Sequence, residues 1–300
     1  MRLAVLLILV LAPARAAAQE LEPGAYWPLP VGLNIVTAVN SVNWGDLNFD
    51  PSLPVEAASA RINTTAVAFT RALSIAGRSA NAGIQIPVVG GHVEGLYLGQ
   101  HTEVGRFGFG DPRFRLAVNL YGAPAMAPKD VPGYRMRTIV GVSVSVAAPL
   151  GQYDETKVIN LGTNRWSIKS EVGFARAMGP WVVELMGGVW IFTDNHDFLG
   201  GRTREQDRIA SSQVHVTYRF TRFRRSMWLA GDANFYKGGQ TTIDGTRNLD
   251  FQRNSRVGVT FSSVITRRQS IRASLSQGAY TTIGADFTAV AVGYNYAWVR

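Results

Sequence analysis

Large apolar and small uncharged side chains alternate along residues 288–298. The large set consists of Val290, Val292, Tyr294, Tyr296 and Trp298, and the intervening residues are alanine, glycine or asparagine. Successive residues of a β-strand point to opposite faces, so one face of this strand is bulky and the other is small. A soluble sandwich would carry charges on the second face. The pattern therefore predicts a strand of a transmembrane barrel, with lipid on one side and a lumen on the other.

The same alternation recurs in about twelve segments, most of them close to the roughly 9 to 11 residues of a tilted membrane strand. They are 33–43, 61–75, 79–89, 112–121, 138–149, 165–177, 181–193, 207–220, 227–236, 255–265, 270–277 and 287–298. An even number of strands returns both ends of the barrel to the periplasmic side. We therefore predict an all-β fold, a transmembrane antiparallel up-and-down β-barrel.

The connections alternate in length, as they do in bacterial outer-membrane barrels. Short turns are expected at 76–78, 178–180, 221–226 and 266–269, and long loops at 44–60, 90–111, 150–164, 194–206 and 237–254. The first set is assigned to the periplasm and the second to the cell exterior. The connection 122–137 is an exception, because it should be a periplasmic turn and is long.

The start of the chain has the pattern of a cleavable signal peptide. Arg2 precedes an apolar run that ends at Pro13, and three alanines lead to a cleavage site after Ala18. The run is too short for a spanning helix. The predicted organisation is a signal peptide at 1–18, a periplasmic N-terminal segment at 19–32 and the barrel at 33–300. Within 26–30, the aromatic and proline residues suggest an interfacial anchor, with a plug of the periplasmic mouth as the alternative.

Composition narrows the class of protein further. The chain has no cysteine, which excludes a lipoprotein anchor, a disulfide framework, a thiolate metal site and a catalytic thiol. The net charge of +9 comes from dispersed arginines. Since export separates the protein from nucleic acid, we do not predict a nucleic-acid partner. Acidic residues concentrate in the long loops, where a solvated surface explains them better than cation bridges to lipopolysaccharide.

Several segments resemble a family of outer-membrane proteins named for the meta-pathway of phenol degradation, whose members are thought to be transporters. The matching segments are AYWPLPVG at 25–32, FDPSLP at 49–54, GDPRFRL at 110–116, APLGQY at 148–153, NLGTNRW at 160–166, FTDN at 192–195 and QRNSR at 252–256. The resemblance spans nearly all of the mature chain. It implies a barrel fold and an association with aromatic compounds, and it transfers no catalytic residue.

Inward-facing charges are the candidate functional residues. Arg113, Arg165 and Arg256 stand where long loops re-enter the wall, so they either form a basic outer mouth or pair locally, with Asp111 or with lipid phosphate. Deeper lumen positions are predicted for Arg115, Lys169, Glu171, Glu184, His215, Arg219, Asp232 and Arg272. Charges of both signs in a lumen of this size either cross-link it or line a narrow path.

We predict neither a metal site nor a cofactor. The residues at 194–197 lack the spacing of a calcium loop. The four histidines are His92, His101, His196 and His215, and none has a catalytic partner that the sequence can place. An outer-membrane lipid hydrolase therefore remains the least favoured alternative, and the prediction is that the protein is not an enzyme.

The sequence thus predicts a passive outer-membrane channel for small hydrophobic or aromatic molecules. The alternative is a structural or surface-binding barrel with a closed lumen. The expected partners are outer-membrane lipid and lipopolysaccharide, a small-molecule solute, and the barrel-assembly machinery during biogenesis.

Overall fold

A computed structural model describes residues 21–48, 55–97, 99–157, 159–220 and 226–299. The predicted signal peptide at 1–18 lies outside these residues. Among the described residues, no helix is long and apolar enough to cross a membrane.

The described chain is built almost entirely of strands. In order they are β1 (Leu33–Asn48), β2 (Val55–Ile75), β3 (Arg78–Tyr97), β4 (Gln100–Phe109), β5 (Arg113–Tyr121), β6 (Thr138–Ala147), β7 (Ser167–Met178), β8 (Trp181–Phe192), β9 (Asn195–Phe198), β10 (Arg202–Gln206), β11 (Ile209–Phe220), β12 (Met227–Gly238), β13 (Thr241–Ile243), β14 (Thr246–Arg247), β15 (Gln252–Val264), β16 (Gln269–Thr281) and β17 (Gly284–Val299). A short 3-10 turn covers Val131–Gly133.

Twelve of these strands close into one antiparallel barrel. The order around it is β1, β2, β3, β5, β6, β7, β8, β11, β12, β15, β16 and β17, and β17 pairs with β1. The closing register runs from Leu33 opposite Val299 to Asn48 opposite Gly284. Each of the twelve predicted segments overlaps one of these strands, so the predicted fold class is confirmed.

The outward face of the barrel is apolar, as the alternation predicts. Val172 and Val292 each expose 56% of their surface there. Aromatic side chains gather at the end where β7 turns into β8: Trp181 and Tyr218 lie edge to face with centroids 4.8 Å apart, and Tyr218 contacts Phe220 in the same way at 5.1 Å. Without water to hydrate an edge, a wall of this kind must be closed, and the β1–β17 pairing closes it.

Two parts of the sheet were not predicted. The hairpin of β3 and β4 extends beyond the wall, and β9, β10, β13 and β14 form a separate four-stranded sheet. Both lie at the end of the barrel that carries the long connections, here called the loop end. Strands outside the lipid layer have no lipid face, so they lack the alternation by which the wall strands were recognised.

The opposite end, here called the turn end, carries the short turns. Ala76 and Gly77 have φ values of 48° and 72° and make the two-residue turn between β2 and β3. The predicted turn at 221–226 lies outside the described residues except for Ser226. The long connection 122–137 folds back beneath the barrel, where Ala125 donates its backbone N–H to Gly77 at 3.0 Å.

At the loop end, one carboxylate holds three segments together. Asp111 accepts hydrogen bonds from the backbone N–H of Gly151 (3.0 Å) and from the N–H (2.8 Å) and hydroxyl (2.7 Å) of Thr163. Gly162 packs against Gly151, where a side chain would lie 2.8 Å from the Gly151 backbone. Three of the segments that carry the family resemblance therefore meet at Asp111, which fixes the connection between β6 and β7.

Candidate functional site in the barrel lumen

The inward faces of the strands divide the lumen into two arcs. We call β5, β6, β7, β8, β11, β12, β15 and β16 the charged arc and β17, β1, β2 and β3 the uncharged arc. Opposite residues of paired strands share a face, so the inward set follows from the register. All eleven sequence-predicted site residues lie on the charged arc or immediately beside it: Arg113, Arg115, Arg165, Lys169, Glu171, Glu184, His215, Arg219, Asp232, Arg256 and Arg272.

The charged arc is cross-linked by buried polar contacts. Lys169 and Glu171 form an ion pair. Further around the arc, Nδ1 of His215 on β11 lies 2.6 Å from Oδ1 of Asp232 on β12. Oδ2 of Asp232 accepts a hydrogen bond of 2.7 Å from the Thr260 hydroxyl on β15. His215 is 0% exposed. Polar groups buried in this way are stabilised only by such pairing, so this part of the lumen has little freedom to rearrange.

The uncharged arc has a different lining. Its inward residues, read along the paired strands, are Ile35, Thr37, Val39, Ser41, Asn43, Ile62, Thr64, Ala66, Ala68, Thr70, Gln85, Pro87, Val89, Ala289, Ala291, Gly293 and Asn295. Many of them, including Ser41, Thr64, Ala68 and Ala291, are half-buried although they face inward. Their accessible surface therefore lies in the lumen, so the described residues do not fill this side of the lumen completely.

Residues 21–32, here called the N-terminal segment, lie inside the barrel against the charged arc. The backbone N–H of Gly24 donates to both carboxylate oxygens of Glu184, at 3.0 and 3.2 Å. The Tyr26 hydroxyl lies 3.1 Å from Oε1 of Glu171 and 3.0 Å from the Ser143 hydroxyl, and Asn119 donates to the Tyr26 carbonyl at 3.1 Å. These contacts join the segment to β5, β6, β7 and β8.

The expected interfacial anchor at 26–30 is therefore wrong for Tyr26, and the plug that was its alternative describes the structure. Tyr26 is 2% exposed. A tyrosine at a membrane interface keeps its hydroxyl in water, whereas here buried partners on β6 and β7 satisfy the hydroxyl and the ring leaves solvent altogether.

Two glycines make room for the Tyr26 ring. A Cβ at Gly141 would lie 2.3 Å from a ring carbon of Tyr26, and one at Gly173 would lie 2.2 Å from another. Small and apolar inward residues complete the pocket: Ala117, Ala123, Ile139, Ala175, Val182 and Met186. Full burial of one aromatic side chain of this kind stabilises by about 1.5 to 3 kcal/mol. The pocket therefore fixes the segment at one point.

The long connection at the turn end supports the same segment. The backbone N–H of Val31 donates to the Met126 carbonyl at 2.8 Å, and Gly32 donates to Ala72 at 3.0 Å. Ala123 belongs to the Tyr26 cluster and is fully buried. The unexpected length of the 122–137 connection thus has a structural reason, because the connection forms the floor of the site.

A small cavity surrounds the Glu22 side chain. It is lined by Glu22, Arg113, Arg115, Ser143, Ser145, Lys169, Glu171, Trp190, Gln213 and Tyr236. With the N-terminal segment in place, it has room for about one water molecule. Burial raises the pKa of the Glu22 carboxyl, but the positive charges of Arg115, Lys169 and Arg113 outweigh that effect, so the pKa lies below its ordinary value.

The three predicted mouth arginines do not share one environment. Arg113 lines the Glu22 cavity. Arg165 is buried, donates to the Gln206 side chain and lies over the Phe192 ring at 4.7 Å. Arg256 is also buried and donates to the Ser276 hydroxyl at 2.7 Å. Arg165 and Arg256 are thus tied to local groups. The predicted effect of the three arginines on ion selectivity stays a prediction.

The remaining predicted lumen residues occupy different depths. Arg115 lies 5.5 Å from the Tyr26 ring centre and Arg272 lies 5.1 Å from that of Trp228. Arg219 reaches the turn end, where it donates to the Gly179 carbonyl at 2.7 Å. The sequence reasoning missed Glu22, because its partners lie some ninety or more positions away and the segment has no periodicity.

In the part of the chain that the structure describes, possible metal ligands do not cluster. No group of three or more histidine, aspartate or glutamate side chains there is placed to hold a metal ion. His92 and His101 lie on the exposed β3–β4 hairpin beside Glu103 and Glu94, at 3.3 and 3.8 Å. His196 contacts the Thr203 hydroxyl at 3.3 Å.

Fold and lumen together define a twelve-stranded membrane-type barrel with its own N-terminal segment inside. The chain belongs to the family described as "Putative MetA-pathway of phenol degradation", whose model matches residues 48–282. No curated protein sequence matches it.

Solved structures show the same fold. The COG4313 outer membrane channel from Pseudomonas putida F1 superposes with a TM-score of 0.76 at 22% identity, over 93% of this chain and 100% of that one. The transport unit of the autotransporter AIDA-I from Escherichia coli superposes with a TM-score of 0.53 at 6% identity, over 95% of this chain and 94% of that one. The beta domain of the Bordetella autotransporter BrkA superposes with a TM-score of 0.51 at 10% identity, over 89% of this chain and 100% of that one.

Proposed function

We propose that the protein is a passive outer-membrane channel for small hydrophobic or aromatic molecules. The observation that carries this proposal is the uncharged arc. It runs along the lumen beside the N-terminal segment, and the inward residues named above for it carry methyl, hydroxyl and amide groups and no charge. An apolar solute that moves along such a wall desolvates no ion, so the wall opposes its passage less than a charged lining would.

Family membership supports the proposal of an aromatic solute, and the fold supports the proposal of a location in the outer membrane. The chain belongs to a family named for phenol degradation. An apolar outer face around a polar lumen suits an outer-membrane barrel, with the turn end in the periplasm and the loop end outside. We expect the partners of such a barrel to be lipid, lipopolysaccharide, the solute and the assembly machinery.

Conductance in planar lipid bilayers tests the channel. We compare the mature chain with a variant that lacks residues 19–28, which removes the Tyr26 contacts but keeps those of Val31 and Gly32. The wild type should show small conductance and the shortened chain a larger, steadier one. The matched control is Tyr26→Phe, which keeps the ring in its pocket and removes only the hydroxyl bonds, so it should fall between the two.

Solute uptake tests the uncharged arc. Liposomes that contain the protein are exposed to a neutral phenyl glucoside, which crosses lipid slowly by itself, and their swelling is followed. Ala291→Glu places a charge on the arc and should slow uptake, whereas Ala291→Gln has the same size without the charge and should not. Equal uptake by the two variants would remove the arc as the path.

A barrel with a permanently closed lumen is the second candidate. The observation that favours it is the tight packing of the N-terminal segment against the charged arc, where the Glu22 cavity has room for about one water molecule. Folded protein that conducts neither with nor without residues 19–28 would establish this alternative.

The lipid hydrolase has less support. Such an enzyme needs a nucleophile within hydrogen-bond distance of a histidine at the lipid face. The buried pair of His215 and Asp232 faces the lumen instead, and within the described residues Nε2 of His215 has no hydrogen-bond partner.

A further inference from the structure

The cavity around Glu22 carries more positive than negative charge. Arg113, Arg115 and Lys169 line it, against the carboxylates of Glu22 and Glu171. Glu171 is already engaged, since it forms the ion pair with Lys169 and accepts two further hydrogen bonds. The charge of the arginines is therefore balanced chiefly by Glu22, which belongs to the N-terminal segment and not to the barrel wall.

Arg115 is built to receive a carboxylate. Among the described residues, its buried Nη2 atom has no hydrogen-bond partner, and Nη1 makes a long contact of 3.5 Å to Asn81. A guanidinium offers five N–H donors in a fork that matches the two oxygens of a carboxylate. A buried donor without a partner is unfavourable, so an anion that reaches Arg115 is stabilised there.

The same cavity has an aromatic wall. Trp190 and Tyr236 also line it, and Lys169 lies 5.8 Å from the centre of the Trp190 ring. The Nε1 atom of Trp190 is buried and has no hydrogen-bond partner in the described part of the chain. Pockets that combine aromatic walls with a few convergent polar groups are typical sites for small organic ligands.

We propose that this cavity is a binding site for the carboxylate of a small aromatic acid, and that the Glu22 side chain supplies the competing negative charge in the cavity when no acid is bound. The proposal rests on the channel function and names the class of solute: a monocyclic aromatic carboxylate, with its carboxylate toward Arg115 and its ring toward Trp190 and Tyr236.

Binding of the acid and withdrawal of the N-terminal segment are then one event. The occupied cavity has room for about one water molecule, so an aromatic ring enters only when residues 21 and 22 leave. The apparent affinity for the acid is lowered by the small fraction of molecules in which the segment has left. A change that weakens the hold of Glu22 must therefore raise the affinity for the acid.

Equilibrium dialysis of benzoate against the detergent-solubilised mature chain tests this. Glu22→Gln removes the competing negative charge from the cavity and should bind benzoate about tenfold more tightly than the wild type. Glu205→Gln is the control: Glu205 is exposed on β10, away from the cavity. It should bind benzoate as the wild type does.

The chemistry of the site is tested with two further comparisons in the Glu22→Gln background. Benzamide has the shape of benzoate without the charge and should bind at least tenfold more weakly. Arg115→Gln should abolish benzoate binding, and Arg115→Lys should restore part of it. Slower migration of boiled than of unboiled protein in detergent gels shows that each variant has folded, and Glu22→Gln changes no barrel residue.

Equal affinity of wild type and Glu22→Gln for benzoate would overturn the proposal, as would equal binding of benzoate and benzamide. Conductance, measured separately, keeps this failure distinct from failure of the channel. A conducting protein without the predicted discrimination loses only the acid site. A folded protein that never conducts, but discriminates as predicted, keeps the site and loses the channel.

Discussion

A β-carbon added at Gly173 would lie 2.2 Å from Cε2 of Tyr26. No real pair of carbon atoms approaches so closely without a bond, so the tyrosine ring and an alanine at 173 exclude each other. The three nearest atoms all belong to the Tyr26 side chain. The absence of a side chain at Gly173 therefore makes room for the N-terminal segment and is not required by the packing of the barrel wall.

Gly173→Ala should consequently expel Tyr26 and increase conductance in planar bilayers without preventing barrel formation. Gly187→Ala is the matched control, since it lies on the adjacent strand and nothing is within 4 Å of its added carbon. In the double variant with Tyr26→Ala, the alanine at 173 should have no further effect, because the two residues act through one contact. Additive effects in that double variant would contradict the steric explanation.

The charge of Glu22 makes docking of the segment dependent on pH. Its pKa is lowered from the ordinary 4.5 when the segment is docked. Because the pKa is lower in the docked state, the ionised carboxyl stabilises docking fully at a pH above the pKa of the undocked state. This stabilisation is lost as the pH falls through the pKa of the docked state. Openings in planar bilayers should therefore be more frequent when the pH is lowered below the ordinary pKa of the carboxyl than they are at neutral pH.

The comparison variant for this prediction is Glu22→Gln, which keeps every other carboxylate of the lumen. It should open more often than the wild type at neutral pH and respond less to acid. An identical acid response in both proteins would assign the effect to Glu171, Glu184 or Asp232 instead.

Charge on the outer face of the barrel should be far more harmful than charge on the face that lines the lumen. Val172 is exposed outward at the middle of β7, and Val172→Arg should cost about 2 to 4 kcal/mol and impair assembly. Ser274→Arg faces the lumen opposite Ala291 and should assemble. The measurement is urea unfolding of the protein in lipid vesicles. Similar stability of the two variants would mean that the inward and outward faces are wrongly assigned.

The mouth arginines should separate into two kinds. Arg113→Gln removes a charge from the Glu22 cavity, so the reversal potential across a salt gradient should shift toward cation selectivity. Arg165→Gln removes the buried partner of Gln206 and should lower stability by about 1 to 3 kcal/mol with little change in selectivity. If selectivity changes equally in both, the arginines act as one collar.

The sequence predicted the barrel wall well because lipid imposes the alternation. Most outward positions of the wall strands are apolar, and this alternation is visible in each strand without knowledge of its neighbours. The register was not predicted, nor was the β3–β4 hairpin, because neither leaves such a pattern. The long loops and short turns followed from the same requirement, since only the segments between them meet lipid.

The site was less predictable because its contacts join distant positions. The alternation of side chains along each strand identified residues such as Glu171 and Glu184 as inward. Their partners Tyr26 and Gly24, however, are about 145 and 160 positions away. One signal was present: Gly141 and Gly173 are inward glycines opposite each other on β6 and β7. Two missing side chains at one level of a wall indicate that something else fills the space.

The N-terminal segment ends where the seam of the barrel begins. Leu33 follows it directly and pairs with Val299, so the last step of closure joins the two ends of the chain. Bringing together strands so far apart in sequence carries a large entropic cost. By binding β6, β7 and β8 from inside, the segment places the first strand within the curved sheet that the later strands complete. We therefore expect a chain without the N-terminal segment to close its barrel more slowly.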